Sequence, residues 1–258
     1  MKNAFVETSN YRRFTSALTR LDDRGAEEAC MVVVDGKPGL GKTATMSRWT
    51  TQTGSIYLRA QKGWDYSWFI QEILAELSIT NVPNRKRDRF RLVIERLDDL
   101  GTSAALEGRP FSLVIDEADL ISSKPEVMEG IRGISDLKFL PTILVGMGKL
   151  RDNLRRFPQI ESRAPNKVEF LPATIEDARD LISGLSEVPV APDLVEFVWK
   201  VSKGFSREMV EAIRAIERFG QRIDIGPEGV TTSDMAGQPI MSNRDTGRQI
   251  VVTDSYHG

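Results

Sequence analysis

The residues best suited to do chemistry stand early in the chain, in the run Gly36-Lys37-Pro38-Gly39-Leu40-Gly41-Lys42-Thr43. This is the spacing G-x-x-x-x-G-K-[ST]. Glycines at those positions let successive backbone N–H groups turn inward around phosphate oxygens, the lysine ammonium reaches the outer phosphates, and the hydroxyl can ligate magnesium. The bare pattern arises by chance in roughly one chain of this size in a hundred, so its surroundings have to support it. They do. Met31-Val32-Val33-Val34-Asp35 is a continuous apolar, β-branched run closed by glycine, the pattern of a buried parallel strand, and a helix is expected from Lys42 to about Thr51.

A second constellation completes the first. Phe111 to Ile115 reads as another buried strand, and it ends in Asp116-Glu117. An aspartate at the carboxyl end of a central strand can share a magnesium shell with Thr43, and the adjacent glutamate can polarise an attacking water. The competing reading is that these acids only cap the helix that follows. Together the two motifs predict ATP and Mg2+ as cofactors. Gly36 to Thr43 would form the nucleotide cradle, Lys42 and Glu117 the catalytic pair, and Thr43 and Asp116 the metal ligands. Asp116-Glu117-Ala118-Asp119 also spells the tetrapeptide that names the DEAD-box helicases, but those enzymes need two recombinase-like domains and this chain has room for one.

The elements that must position these residues follow from periodicity. Phe14, Ala17, Leu18 and Leu21 predict an amphipathic helix over residues 10–23. Further strands are expected at Ile56 to Arg59, Thr142 to Val145 and Val168 to Leu171, with helical segments between them, including Tyr66 to Ser78 and Arg87 to Leu100. Alternating strand and helix predicts an α/β fold, a five-stranded parallel sheet flanked by helices, as one domain over residues 1–171. Thr174-Ile175-Glu176-Asp177 signals a helix start with acids in its first turn, and two more helices are expected at Asp193 to Val201 and Ser206 to Phe219. Residues 172–222 therefore read as a small helical lid, and 223–258, rich in Gly, Pro, Ser, Thr and Asp, as a flexible tail in which only a short hairpin near Gly247 is a candidate for structure.

Composition narrows the classes. The single cysteine, Cys30, and single histidine, His257, leave no material for an internal disulfide, a thiolate metal cluster, or Ser-His-Asp or Cys-His catalysis. Cys30, just before an apolar strand, is expected in the core. With 35 basic and 37 acidic residues the molecule has no strong overall field, so affinity for a polyanion must come from local patches or assembly. No apolar run is long enough to span a membrane and no export signal is visible at the start, so a cytoplasmic chain with no membrane partner is expected. Trp64, Tyr66, Trp68 and Phe69 form an aromatic cluster read mainly as core.

With its N-terminal helix, glycine loop, Ile115-Asp116-Glu117-Ala118-Asp119, the run Thr142 to Leu150 and a helical lid, the chain resembles the AAA+ P-loop NTPases over about residues 10 to 220. Within them it is similar to the transposition-regulator branch. That resemblance implies an ATPase that binds double-stranded DNA with little sequence preference; slow hydrolysis is expected from the absence of a polar residue after Val145, where the water would be positioned. It implies assembly into homo-oligomeric filaments or spirals and recruitment of a transposase. It also implies an arginine finger reaching a neighbouring subunit's nucleotide, with Arg163 the first choice and Arg156 the second. Gly204-Phe205-Ser206-Arg207 matches the pattern in which a lid arginine, here Arg207, contacts the nucleotide. One departure stands out: Val145 is followed by Gly146 and Met147, where the family usually places a polar residue.

Two basic clusters could meet phosphates. One is Arg85, Lys86 and Arg87 with Arg89 and Arg91; the other is Lys149, Arg151, Arg155 and Arg156. Arg151 and Arg155, four apart, are expected on one helix face. A solvated surface is the competing account. A helicase loader and a signalling or secretion-associated switch stay open as alternative functions.

Overall fold

The computed structural model describes residues 1–22 and 25–253. Asp23, the expected end of the first helix, and residues 254–258 lie outside the described residues. The chain forms two compact units, one of Arg13–Lys37 and Lys42–Phe170, the other of Met1–Arg12, Pro38–Gly41 and Leu171–Gly258. Helix α1 (Ser9–Asp22) runs from one segment into the other.

The first unit is the sheet domain. Its elements are β1 (Met31–Asp35), α2 (Lys42–Thr53), β2 (Ile56–Arg59), α3 (Tyr66–Glu76), α4 (Lys86–Leu106), β3 (Leu113–Asp116), α5 (Pro125–Lys138), β4 (Thr142–Val145), α6 (Lys149–Leu154), α7 (Pro158–Glu161) and β5 (Asn166–Glu169). The five strands pair in parallel in the order β2-β3-β4-β1-β5. The α/β fold with a five-stranded parallel sheet is thus as the sequence predicts. The central strands β1, β3 and β4 are buried at every position, because helices cover both faces and only apolar side chains fit there. The edge strands keep exposed positions, Arg59 on β2 and Lys167 and Glu169 on β5. That openness explains why the last strand falls at Asn166–Glu169 and not at the more apolar Val168 to Leu171: its register on β1 pairs Val32 with Asn166 and Asp35 with Glu169.

Trp64, Phe69, Val93, Leu97, Leu113, Ile115, Met128 and Ile131 belong to one core. Burying each such side chain fully is worth about 1.5–3 kcal/mol. Trp64 and Phe69 lie in this core with ring centroids 5.8 Å apart, while Trp68 is partly exposed. Cys30 is buried, its Sγ 3.1 Å from Ser135 Oγ.

The second unit contains α8 (Ile175–Leu185), α9 (Pro192–Ser202), α10 (Ser206–Gly220) and an antiparallel pair, β6 (Pro239–Ser242) and β7 (Gln249–Val251). Helix α8 opens with a capping box: Thr174 Oγ1 accepts from Asp177 N and the Asp177 carboxylate accepts from Thr174 N, satisfying two otherwise orphaned donors. The same carboxylate accepts from Ser9 N at 2.7 Å and Ser9 Oγ at 3.0 Å, which anchors the N-terminal segment. On α10, Met209, Ala212, Ile213 and Ile216 recur at helical spacing and are all fully buried.

The flexible tail expected from residue 223 is corrected by this unit. Val230, Met235, Ile240, Met241 and Val252 are buried in the same core as α8, α9 and α10. Thr232 N and Oγ1 donate to Asp193 at 2.9 and 2.5 Å, tying the segment to the start of α9. A handful of apolar anchors spaced irregularly among polar residues suffices, since each docks on a surface the helices have already made. The hairpin is real, and its turn is an Asx turn in which Asn243 Oδ1 accepts from Asp245 N and Thr246 N, both at 2.9 Å.

Candidate active site

In the sheet domain the site grows from the ends of β1 and β3. After Asp35 the chain turns through Gly36, Gly39 and Gly41, with φ of 152°, 88° and 87°, values a side chain rarely tolerates. Lys42 begins α2, and its ammonium folds back to donate to Gly36 O at 2.5 Å and Lys37 O at 2.9 Å. It is only 7% exposed. Burial pushes the Lys42 ammonium below its ordinary pKa, with Asp35, Asp116, Asp119 and Glu117 holding it up against that loss.

Asp116, at the end of β3, is 3% exposed. Its Oδ2 accepts from Thr43 Oγ1 at 2.9 Å and from Tyr57 OH at 2.8 Å, and its Oδ1 accepts from Glu117 N at 2.8 Å. Thr43 and Asp116, 73 positions apart in the chain, therefore meet as the sequence reading requires. Tyr57 was not legible: it sits mid-strand on β2 between buried Ile56 and Leu58 and points to the other face. Its hydroxyl pKa is raised by burial and by the bond to Asp116.

Glu117 takes a left-handed backbone, φ 57° and ψ 31°, an uncommon conformation for a residue with a side chain. It makes no side-chain cap to the short 3-10 turn Ala118–Leu120, so capping does not account for it. Its Oε1 lies 3.4 Å from Arg59 Nη2 instead. Arg59 occupies this place because β2 pairs with β3 in a register that sets Arg59 opposite Asp116.

Two further carboxylates hold the turn after β4. Asp35 Oδ1 accepts from Gly36 N at 2.7 Å and Gly148 N at 2.5 Å, and Asp119 Oδ2 accepts from Met147 N. Burial raises the Asp119 carboxyl above its ordinary range. Gly146 allows the approach, for a Cβ there would lie 2.5 Å from Asp119 Oδ2. The end of β4 thus carries backbone donors pinned by neighbouring acids, where the family pattern has a polar side chain.

The predicted basic residues divide. Arg151 is half-buried, its Nε 3.6 Å from Asp35 Oδ2 and without a hydrogen bond, so part of its charge is engaged within the site. Arg155 is 72% exposed beside Asp152, and Lys149 and Arg156 are exposed. Arg85, Lys86 and Arg87 are exposed at the start of α4, while Arg89 donates to Pro83 O at 2.6 Å and Arg91 pairs with Glu95. Arg163 is half-buried and grips Asp136 with Nε at 3.2 Å and Nη2 at 3.4 Å.

In the second unit, Gly204 holds φ 74° with Ala173 O only 2.7 Å from where a Cβ would stand, which explains the glycine in Gly204-Phe205-Ser206-Arg207. Arg207 opens α10 with its side chain exposed, and its backbone N donates to Gly39 O at 3.1 Å.

A parallel sheet whose first strand runs into a glycine loop and helix, with an aspartate from a neighbouring strand on the loop's threonine, defines a P-loop NTPase. The family described as AAA domain matches residues 25–154, half of the chain, and the chain belongs to it. No curated protein matches the sequence. Among solved structures the chain is similar to the Walker-type ATPase of Pyrococcus abyssi, at 16% identity and TM-score 0.58, over 84% of this chain and 69% of that one. It is also similar to Orc1 of Aeropyrum pernix in complex with DNA, at 18% identity and TM-score 0.54, over 86% of this chain and 62% of the other. Cdc6p of Pyrobaculum aerophilum gives 17%, 0.57, 86% and 65% in the same terms. The chain thus spans about two thirds of the length of each. Among the described residues, no helix is long and apolar enough to cross a membrane.

Proposed function

We propose that the chain is a magnesium-dependent ATPase that works as a slow switch on double-stranded DNA. The observation that carries the ATPase reading is the meeting of Thr43 with Asp116 beside the buried Lys42 ammonium. The ligand set is all oxygen, which suits magnesium, and bound magnesium would supply positive charge to the β and γ phosphate oxygens. Thr43 and Asp116 are the residues that would hold it. The Lys42 ammonium is held by two loop carbonyls, which phosphate oxygens can replace with stronger, charge-assisted bonds. Glu117 is the general base. Its carboxylate must leave Arg59 to accept a proton from the attacking water, and this added step favours slow turnover. Arg207 is the lid arginine in this reading, and exposed Arg156 replaces Arg163 as first choice for a finger acting on a neighbouring subunit, because Asp136 already engages Arg163.

The DNA reading is supported by Arg85, Lys86 and Arg87. Three exposed cations at a helix N-terminus oppose the macrodipole and cost stability, so a role in binding phosphate would explain them. Orc1 of Aeropyrum pernix, described in complex with DNA, supports the same class of client. Assembly through a finger would repeat the patch along the duplex and let weak contacts add. On this reading the finer role is that of the transposition regulators: an ATP-bound oligomer on target DNA that recruits a transposase. The likeness to Orc1 in complex with DNA supports a second reading, an ATP switch on DNA that recruits no transposase.

ATP turnover with and without double-stranded DNA, alongside electron microscopy with a slowly hydrolysed analogue, tests the proposal. Stimulation by DNA and analogue-dependent filaments are expected. Turnover unaffected by DNA, with no assembly, would remove DNA from the function and leave the ATPase.

A further inference from the structure

Three successive carbonyls of the glycine loop, all in the second compact unit, accept hydrogen bonds from three separate parts of that unit. Pro38 O accepts from Arg244 Nη2 at 2.8 Å, Gly39 O from Arg207 N at 3.1 Å, and Leu40 O from Asn10 Nδ2 at 3.4 Å. No peptide bond among the described residues is cis. In a trans peptide the N–H points opposite to its C=O, so the N–H groups of Gly39, Leu40 and Gly41 are directed away from these three donors. They are the amides with which a loop of this pattern cradles phosphate.

Arg244 is the charged side chain among the three donors. It stands in the turn between β6 and β7, in the segment whose composition suggested disorder. Its place is fixed on three sides: Nη2 on Pro38 O, Nη1 on Glu208 Oε1 at 3.0 Å, and the guanidinium 4.3 Å above the Phe205 ring. Glu208 is 8% exposed, with its Oε2 buried and unpartnered. A Cβ on Gly39 would lie 2.8 Å from Arg244 Nη1, so the glycine admits this contact as well as its positive φ. A guanidinium on a carbonyl draws electron density out of the peptide and makes the following N–H, that of Gly39, a stronger donor. Arg244 also neutralises a buried carboxylate that would otherwise repel a bound polyphosphate.

We propose that Arg244 is a positioning residue for nucleotide binding: it braces the outer side of the loop so that the Gly39, Leu40 and Gly41 amides are set for phosphate before ATP arrives. The proposal rests on the reading of Gly36 to Thr43 as the ATP site. A preorganised loop loses less freedom on binding, so removing the brace weakens affinity and leaves the chemical step nearly alone.

The test compares Arg244→Ala, Arg244→Lys and the pair Arg244→Ala with Glu208→Gln, the last avoiding an unpaired buried carboxylate. Two quantities are read: the Kd for MgATP by calorimetry, and amide hydrogen exchange over residues 38–41 in the nucleotide-free protein. Losing one charge-assisted bond predicts about tenfold weaker ATP binding in both alanine variants. Arg244→Lys should recover part of it, because an ammonium keeps the charge but cannot bridge Pro38 O and Glu208 as a fork does. Turnover at saturating ATP should stay within about twofold. Exchange over 38–41 should quicken while that of α10 is unchanged. Wild-type affinity and wild-type exchange in the folded double variant, or in Arg244→Lys should the double variant not fold, would overturn the proposal. If the unaltered chain binds no ATP, the nucleotide reading fails and the role in binding fails with it; the exchange arm then shows separately whether Arg244 orders the loop.

Discussion

Replacing Arg59 by alanine should speed ATP turnover, and the size of the gain can be worked from the site. Arg59 Nη2 stands 3.4 Å from Glu117 Oε1, with side chains 67% and 24% exposed. In bulk water two unit charges at that distance attract by about 1 kcal/mol, and exposed pairs of this kind measure about 0.2–1 kcal/mol once side-chain entropy is counted. That energy is what Glu117 gives up when it turns to the attacking water. The proposed mechanism therefore predicts a rise in kcat of at most about fivefold for Arg59→Ala, with KM little changed. The assay is steady-state phosphate release at saturating MgATP, repeated from low salt to about 0.5 M, where screening falls to a few ångströms. The difference between wild type and variant should shrink with salt, because added ions already loosen the pair in the wild type. A variant slower than wild type at every salt concentration would refute the reasoning and assign Arg59 to holding Glu117 in its working pose.

Other consequences are equally concrete. Tyr57→Phe removes one of the two hydroxyls on Asp116 Oδ2 and should lower stability by about 1.5–3 kcal/mol, read as a fall in the urea midpoint. Met235→Ala should cost about 2–5 kcal/mol, because the side chain is 1% exposed in the core of the second unit; a change below about 0.5 kcal/mol would mean that the C-terminal segment is not packed. Asp193 is held below its ordinary 3.8 despite burial, by the Thr232 hydroxyl and N–H. A carboxyl with a depressed folded pKa stabilises above its unfolded value and loses that contribution as pH falls through the folded one. The tie should therefore be intact above pH 3.8, weaken below it, and be absent at neutral pH in Asp193→Ala, which leaves the two Thr232 donors without their acceptor and which protease cleavage near Thr232 can report.

Much of the site was legible because its signals are local. The strand Met31–Asp35, the glycines and Lys42-Thr43 lie within a single strand, turn and helix, and Asp116-Glu117 ends a strand with no polar interruption. What could not be read depends on register and pairing. Arg59 and Tyr57 come to Asp116 and Glu117 only because β2 lies beside β3, and no periodicity states which strand is the neighbour. Arg151 and Arg163 looked like free cations, but their partners Asp35 and Asp136 lie far away in the chain. The C-terminal segment misled for a different reason. Composition measures whether a stretch can build a core of its own, whereas Val230, Met235, Ile240, Met241 and Val252 only complete one.

The three carbonyl bonds on the glycine loop also bear on how the molecule is made. Their donors sit at positions 10, 207 and 244, and the Arg244 bond spans 206 positions of chain. Contacts of such separation close late, after the entropy of the intervening loop has been overcome. On a ribosome, Arg244 emerges only after the strands and helices of the sheet domain have been synthesised. Until Arg244 has been synthesised, the Pro38 carbonyl lacks this donor, so a nascent chain carries the glycine loop without one of its three outer contacts.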